Sequence, residues 1–271
     1  MGDRRQELER CIASLRVRRP ADQIVVVANG SPEPVHVGPD VDIVSLAENV
    51  GIPGGRACGL EASDADAVGF LDDDATLQSL PAGLLEDMFT RDPTLAVVAF
   101  RIADESGRSI ARHIPRIGGR DPGRGGPVAT FPGGASVVRR SAYDDVGGFF
   151  RDLFYGHEEV ELSWRLVDRG WSIAYAPEVV VEHPHTPVGR HERGWMLTGR
   201  NRVLVARRSL PWPVAVVHVS VWLLLGVIRA SGARRAYVRG WLSGWRVEVA
   251  RAPISWRAIG RLTKLGRPPI V

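Results

Sequence analysis

Leu8, Ile12 and Leu15 recur at helical spacing in an opening segment rich in Glu and Arg, and Pro20 lies beyond its end; this predicts an amphipathic helix with one covered face. The β-branched run Gln23-Ile24-Val25-Val26-Val27-Ala28 stops at Asn29-Gly30-Ser31-Pro32, the pattern of a buried strand entering a turn. Val41 to Leu46 reads as a second short strand. Asn49-Val50-Gly51-Ile52-Pro53-Gly54-Gly55 reads as a flexible loop ahead of a helix from Arg56 to about Ala62. The third apolar run, Ala67 to Leu71, delivers the chain directly into Asp72-Asp73-Asp74. A helix at Leu84 to Phe89 and a strand at Leu95 to Ile102 follow. A glycine-rich basic loop (116–127) leads to a strand at Ser136 to Val138, a helix from about Ser141 and a Gly147-Gly148 break. Glu158 to Arg169 has the apolar spacing of a helix ended by Gly170, and Val179 to Glu182 reads as a strand. This alternation predicts an α/β domain with a largely parallel sheet, whose ligands gather at the carboxyl ends of strands; Asn29 and Asp72 both sit at such ends.

Beyond His183 the texture changes. Leu210 to Ile228 is apolar apart from His218 and Ser220, with Arg207, Arg208 and Arg229 just outside it and Pro211 and Pro213 at its start. The length suits a marginal membrane span, a helix lying in the interface, or a buried helical hairpin; five of the eight tryptophans lie from Trp212 onward, which favours membrane contact. Charge divides at the same place: residues 1–187 hold 19 basic against 29 acidic side chains, residues 188–271 hold 16 against 2. We therefore expect an acidic catalytic body (1–187) and a basic, apolar helical tail (188–271) that meets a membrane surface. The tail has no nucleic-acid recognition motif, so no nucleic-acid partner is expected. Cys11 and Cys58 have no metal-ligand spacing, which argues against a zinc site or a disulfide framework. The first residues lack a secretion signal's apolar core. The expected location is the cytoplasm, at the inner face of the cell membrane.

Three aspartates directly after a buried strand raise one another's pKa unless a cation shares them. Mg2+ or Mn2+ would serve, and could hold a diphosphate; the bland alternative is a solvated turn capping a helix. In Tyr155-Gly156-His157-Glu158-Glu159-Val160-Glu161-Leu162-Ser163-Trp164-Arg165, acids gather at a helix start, where the dipole alone favours them, although one could serve as a general base. Val179-Val180-Val181-Glu182-His183-Pro184-His185 ends a strand in two histidines, nitrogen ligands that could complete an aspartate-held metal site.

The order of these pieces resembles family 2 of the inverting glycosyltransferases, with the nucleotide-binding fold called GT-A, over roughly Arg5 to His185. The matching segments are Gln23 to Ser31, Asn49 to Gly59, Phe70-Leu71-Asp72-Asp73-Asp74 for an Asp-x-Asp motif, Gly133-Gly134-Ala135, Gly147-Gly148-Phe149, Glu158 to Arg165 for a Glu-Asp-x-Asp-Leu-x-x-Arg helix start, and His183. The resemblance implies a rhamnosyltransferase-like or related cell-envelope sugar transferase, acting on a nucleotide-sugar donor and a lipid-linked or glycan acceptor. It implies that Asp72, Asp74 and His183 hold Mg2+ or Mn2+, that Asp73 contacts the donor sugar or ribose, and that Asp72, Asn29, Gly30, Asn49 and Gly51 belong to the donor pocket. Glu159 falls at the family's base position, with Glu158 one residue away as the fallback; Trp164 and Arg165 would shape the acceptor site or brace the helix.

Three departures accompany the resemblance. The family's first strand would lie ahead of Met1, so either the start is misassigned or the sheet lacks that strand; Ala28 stands where an acidic residue often meets the base; and Glu159 is one methylene longer than the usual Asp. Alternatives to the transferase reading are a sugar-phosphate nucleotidyltransferase and a catalytically inactive, membrane-docked scaffold.

Overall fold

The computed structural model describes residues 4–184 and 193–270. Met1 to Asp3, His185 and the expected boundary at 187/188 lie outside the described residues. The opening helix α1 (Arg5–Arg18) covers Cys11 and lies against β4 (Thr76–Ser79), where the Ser14 hydroxyl accepts a hydrogen bond from the Leu77 amide at 2.9 Å. β1 (Val25–Asn29) and β2 (Asp42–Leu46) form a parallel pair. The other strands are β3 (Ala67–Leu71), β5 (Leu95–Ala103), β6 (Gly126–Pro127), β7 (Ala135–Arg139) and β8 (Ser172–Glu182); with β4 they make a six-stranded sheet of order β3-β7-β5-β8-β4, β6 pairing with β8.

The α/β expectation holds, with strand directions more mixed than the sequence pattern conveys. β5 and β8 are parallel, and β3 shares their direction because both β3 and β5 run antiparallel to the intervening β7. β4 and β6 also run against β8. A strand covered on both faces shows the same continuous apolar run in either direction, so β7 could not be oriented from its residues. The nine residues of β5 are buried except for Arg101.

Helix α2 (Gly51–Glu61) begins five residues before the expected start at Arg56, taking in Pro53, Gly54 and Gly55. Proline in a first turn loses no intrahelical bond. Packing overrides the low propensity of the glycines: a Cβ on Gly55 would stand 3.1 Å from Asn29 Nδ2, and one on Gly59 2.9 Å from Val27.

After α3 (Leu84–Arg91) and α4 (Arg140–Asp145) comes α5 (Glu158–Arg169), which is buried on two sides. Leu162 and Leu166, one turn apart, join the core against the sheet, including Val97, Val138 and Ile173. Trp164 and Val167 join a second core with Val203, Leu204, Ala258 and Leu262. Those partners come from α6 (Gly194–Ser209) and α9 (Trp256–Lys264), which with α7 (Trp212–Arg229) and α8 (Arg234–Gly244) form the C-terminal helical layer. The basic tail is thus built onto α5.

Candidate active site

Two register relationships assemble the acidic turn. Leu71 pairs with Ala135 across β3 and β7, so Asp72 falls against Gly134, whose carbonyl accepts from the Asp72 amide at 3.3 Å. A Cβ on Gly134 would stand 2.2 Å from the Asp72 carboxylate, which makes glycine a steric requirement there. On the other side, Thr76 pairs with Glu182 across β4 and β8. His183 is thereby delivered over the turn, with Nε2 3.2 Å from Asp74 Oδ1 and 3.6 Å from Asp72 Oδ2. Its Nδ1 donates to the Pro184 carbonyl at 2.8 Å, which fixes the ring with Nε2 toward the carboxylates.

The charges respond to this arrangement. Hydrogen bonds to Asp72 and Asp74 raise His183 to about 10, and the same contact lowers Asp74 to about 2. Burial works to raise Asp72, but His183 and Arg56 outweigh it and the pKa falls. Burial raises Asp73 despite Arg4. Asp72, Asp74 and His183 therefore meet as directly paired groups, and among the described residues no three His, Cys, Asp or Glu side chains stand at metal-holding spacing. Their donor types, two carboxylates and an imidazole nitrogen, fit Mn2+ or Mg2+.

Arg56 of α2 links the turn to α5. Its Nη2 lies 3.3 Å from Asp72 Oδ1, and its Nη1 lies 3.2 Å from Oε1 of both Glu158 and Glu159. Glu158 is 2% exposed, and burial, then the charge of Glu159, pushes it up to about 8. The Glu159 side chain is 21% exposed. Arg4 pairs with Asp73 at 3.2 Å and also with Asp74. Arg56 and Arg4 were not among the residues expected at the site. Arg56 had one signal, being the only cation in the glycine-rich α2.

Asn29, Gly30, Asn49 and Gly51 form a neighbouring cluster around the start of α2. Asn29 Nδ2 donates to the Gly51 carbonyl at 3.0 Å and its Oδ1 accepts from the Val50 amide at 2.9 Å, while Asn49 Oδ1 accepts from the Gly51 amide at 2.9 Å. Gly51 has φ +80°, and a Cβ there would stand 2.3 Å from the Phe154 carbonyl. The asparagine side chains thus shape the loop. Arg165 braces α5: it pairs with Glu161 and donates to the Gly148 carbonyl at 2.6 Å. Trp164 is buried in the second core.

Residues 3–147 match the family model described as glycosyl transferase family 2. The chain belongs to that family. Over 270 residues this family 2 chain is 32% identical to a pre-mycofactocin glycosyltransferase of Mycobacterium tuberculosis, covering 90% of this chain and 55% of that one. A shorter stretch of 57 residues, 21% of this chain and 19% of the relative, is 42% identical to an N-acetylglucosaminyl-diphospho-decaprenol L-rhamnosyltransferase of the same species. The chain spans about half the length of the longer-matching relative. Among solved structures, GalNAc-T7 with UDP, GalNAc and Mn2+ superposes with TM-score 0.61 at 14% identity, over 85% of this chain and 51% of that one. The mannosyltransferase PcManGT from Pyrobaculum calidifontis, with GDP-Man and Mn2+, gives 0.53 at 16%, over 97% and 76%. At those identities the likeness concerns the fold, and it identifies the nucleotide-sugar fold expected from the sequence.

Proposed function

We propose that this family 2 chain moves a sugar from a nucleoside-diphosphate donor to a hydroxyl of a lipid-linked or cell-envelope glycan, by a single inverting displacement. The observation that carries this reading is the meeting of Asp72 and Asp74 with His183 on one side and, through Arg56, with Glu158 and Glu159 on the other. Asp72, Asp74 and His183 would hold Mg2+ or Mn2+, the ion found with the two solved neighbours. Bound there, the ion would offset negative charge on the leaving diphosphate. Arg56 and Arg4 add positive charge at the same turn, and the loop of Asn29, Gly30, Asn49 and Gly51 would form the wall of the donor pocket.

Glu159 takes the acceptor proton. It is the more open of the two acids, whereas Glu158 is enclosed and held in its protonated form at neutral pH, unsuited to receive a proton. Arg56 holds both carboxylates at the start of α5 and orients them toward the turn.

The acceptor reading draws on the names of the two mycobacterial relatives and on α7. That helix is the one described segment long and apolar enough to cross a membrane, and 28% of it is buried. Its covered side carries Ala215, His218, Val219 and Gly226, while Trp212, Val216, Val217, Leu224 and Ile228 face outward. This reverses the amphipathicity of a helix in water, and one committed face suits a helix lying along a cytoplasmic membrane surface. The deciding experiment is a transfer and donor-hydrolysis screen of UDP-, GDP- and dTDP-sugars with and without Mn2+, with Asp74→Ala alongside. Metal-dependent turnover lost in the variant is expected; turnover unchanged by Asp74→Ala would overturn the assignment.

A further inference from the structure

Behind the start of α5, on the side away from the aspartate turn, basic groups gather without an acid. Arg202 of α6 stacks its guanidinium 3.4 Å above the Trp222 ring of α7, and Arg229 lies 5.2 Å from the same ring. His218 lies one turn before Trp222, with ring centroids 6.3 Å apart, and is 1% exposed. The charges of Arg202 and Arg267 act on His157, the residue that precedes Glu158. Among the described residues no carboxylate forms an ion pair with Arg202, Arg229 or Arg267, and none of these side chains has an interaction beyond the described ones.

The same residues hold four polar atoms that are shielded from solvent and unpartnered: Arg202 Nε, Trp222 Nε1, His218 Nε2 and His157 Nδ1. Buried polar atoms without partners are uncommon, and four in one place call for an explanation. An isolated buried cation costs several kcal/mol unless something shares it. Stacking on Trp222 offsets part of this for Arg202, but leaves every orphaned N–H as it is.

The chemistry of these atoms specifies what is missing. Arg202 Nε–H and Trp222 Nε1–H are donors and need acceptor oxygens, and beside guanidinium groups that lack a carboxylate an anionic oxygen meets both needs. His218 Nδ1 lies 2.7 Å from the Pro269 carbonyl, to which it must donate, so in the neutral ring Nε2 carries a lone pair and accepts. A ligand with charged oxygens and one hydroxyl satisfies all three.

From this we infer that Arg202, Trp222 and His218 form a second binding site, for a phosphate-type anion, between α6, α7 and the segment after α9 that carries Pro269. Two sources supply that chemistry: a free phosphate, or the phosphomonoester of a lipid headgroup. The inference does not depend on the transferase reading, since its readout is binding.

The test is thermal unfolding of the whole chain in inorganic phosphate against chloride at matched ionic strength, and with phosphatidic acid vesicles against phosphatidylcholine vesicles. Wild type is expected to be stabilised in one of the two anionic arms. Stabilisation by phosphate assigns the free ion; stabilisation by phosphatidic acid alone assigns the lipid. Arg202→Gln should abolish the response while unfolding no lower than wild type in chloride, because it removes an uncompensated charge; the exposed Arg235→Gln should keep it. Should Arg202→Gln fail to fold, Trp222→Phe keeps an aromatic face for Arg202, loses the N–H, and should weaken the anion's Kd by about tenfold. No response in either arm, or equal responses in wild type and the folded variant, would sink the proposal.

Discussion

Arg56 Nη1 lies 3.2 Å from Glu159 Oε1, joining α2, the helix that follows β2, to the helix that carries the proposed base. The same nitrogen is the partner of the enclosed Glu158. Above about pH 8, where Glu158 is ionised, Arg56→Ala therefore leaves a buried carboxylate without its cation and should cost about 3 kcal/mol by urea unfolding. Adding Glu158→Gln to Arg56→Ala should recover part of that loss, because the amide needs no countercharge. Equal stability of single and double variants would count against the pairing.

Glu158 also sets a pH dependence. Its folded pKa, about 8, lies above the ordinary value of 4.5, so folding favours the protonated acid. Its contribution is complete below about 4.5 and is lost as pH rises toward 8. Wild type should lose roughly 2–4 kcal/mol across that window relative to Glu158→Gln. Thermal melts at several pH values compare the two slopes.

For the transfer reaction, Glu159→Gln should lower kcat by about 10²- to 10⁴-fold with little change in donor KM. Glu158→Gln should be milder. Steady-state kinetics with the donor found in the screen separates the two acids, and a larger loss in Glu158→Gln would reassign the base.

Gly134→Ala tests the aspartate turn without touching a charged group. The added methyl meets the Asp72 carboxylate at 2.2 Å, so Asp72 must move. We expect loss of Mn2+-dependent donor binding by calorimetry, with destabilisation of only about 1–3 kcal/mol.

The outward face of α7 gives a fourth handle on function. Leu224→Glu places a charge on an exposed apolar position, where it should leave folding intact and reduce flotation with anionic vesicles several-fold. Unchanged flotation would argue for a protein partner on that face.

Much of the site was legible because strand ends announce themselves. The run Ala67 to Leu71 ending in three aspartates, and the run ending at Glu182-His183, both terminate where the structure brings them together. What could not be read was the crossing of distant segments. Nothing near Arg56 records that Glu158 and Glu159 return to it, and the helix around Arg56 was placed late because its glycines make contacts that local propensity does not encode. β4 was missed because Thr76 to Ser79 is short and mixed in polarity, and its register with β8 is what positions His183.

Helix α5 has one face in the sheet core and the other in the C-terminal helical core. An enzyme divided at such a helix does not yield a catalytic half and a dispensable anchor. Cutting the chain ahead of Gly194 would strip Trp164 and Val167 of their cover and loosen the segment that aims Glu159. Any load on the C-terminal helices therefore reaches the carboxylates at the start of α5 through a single shared beam.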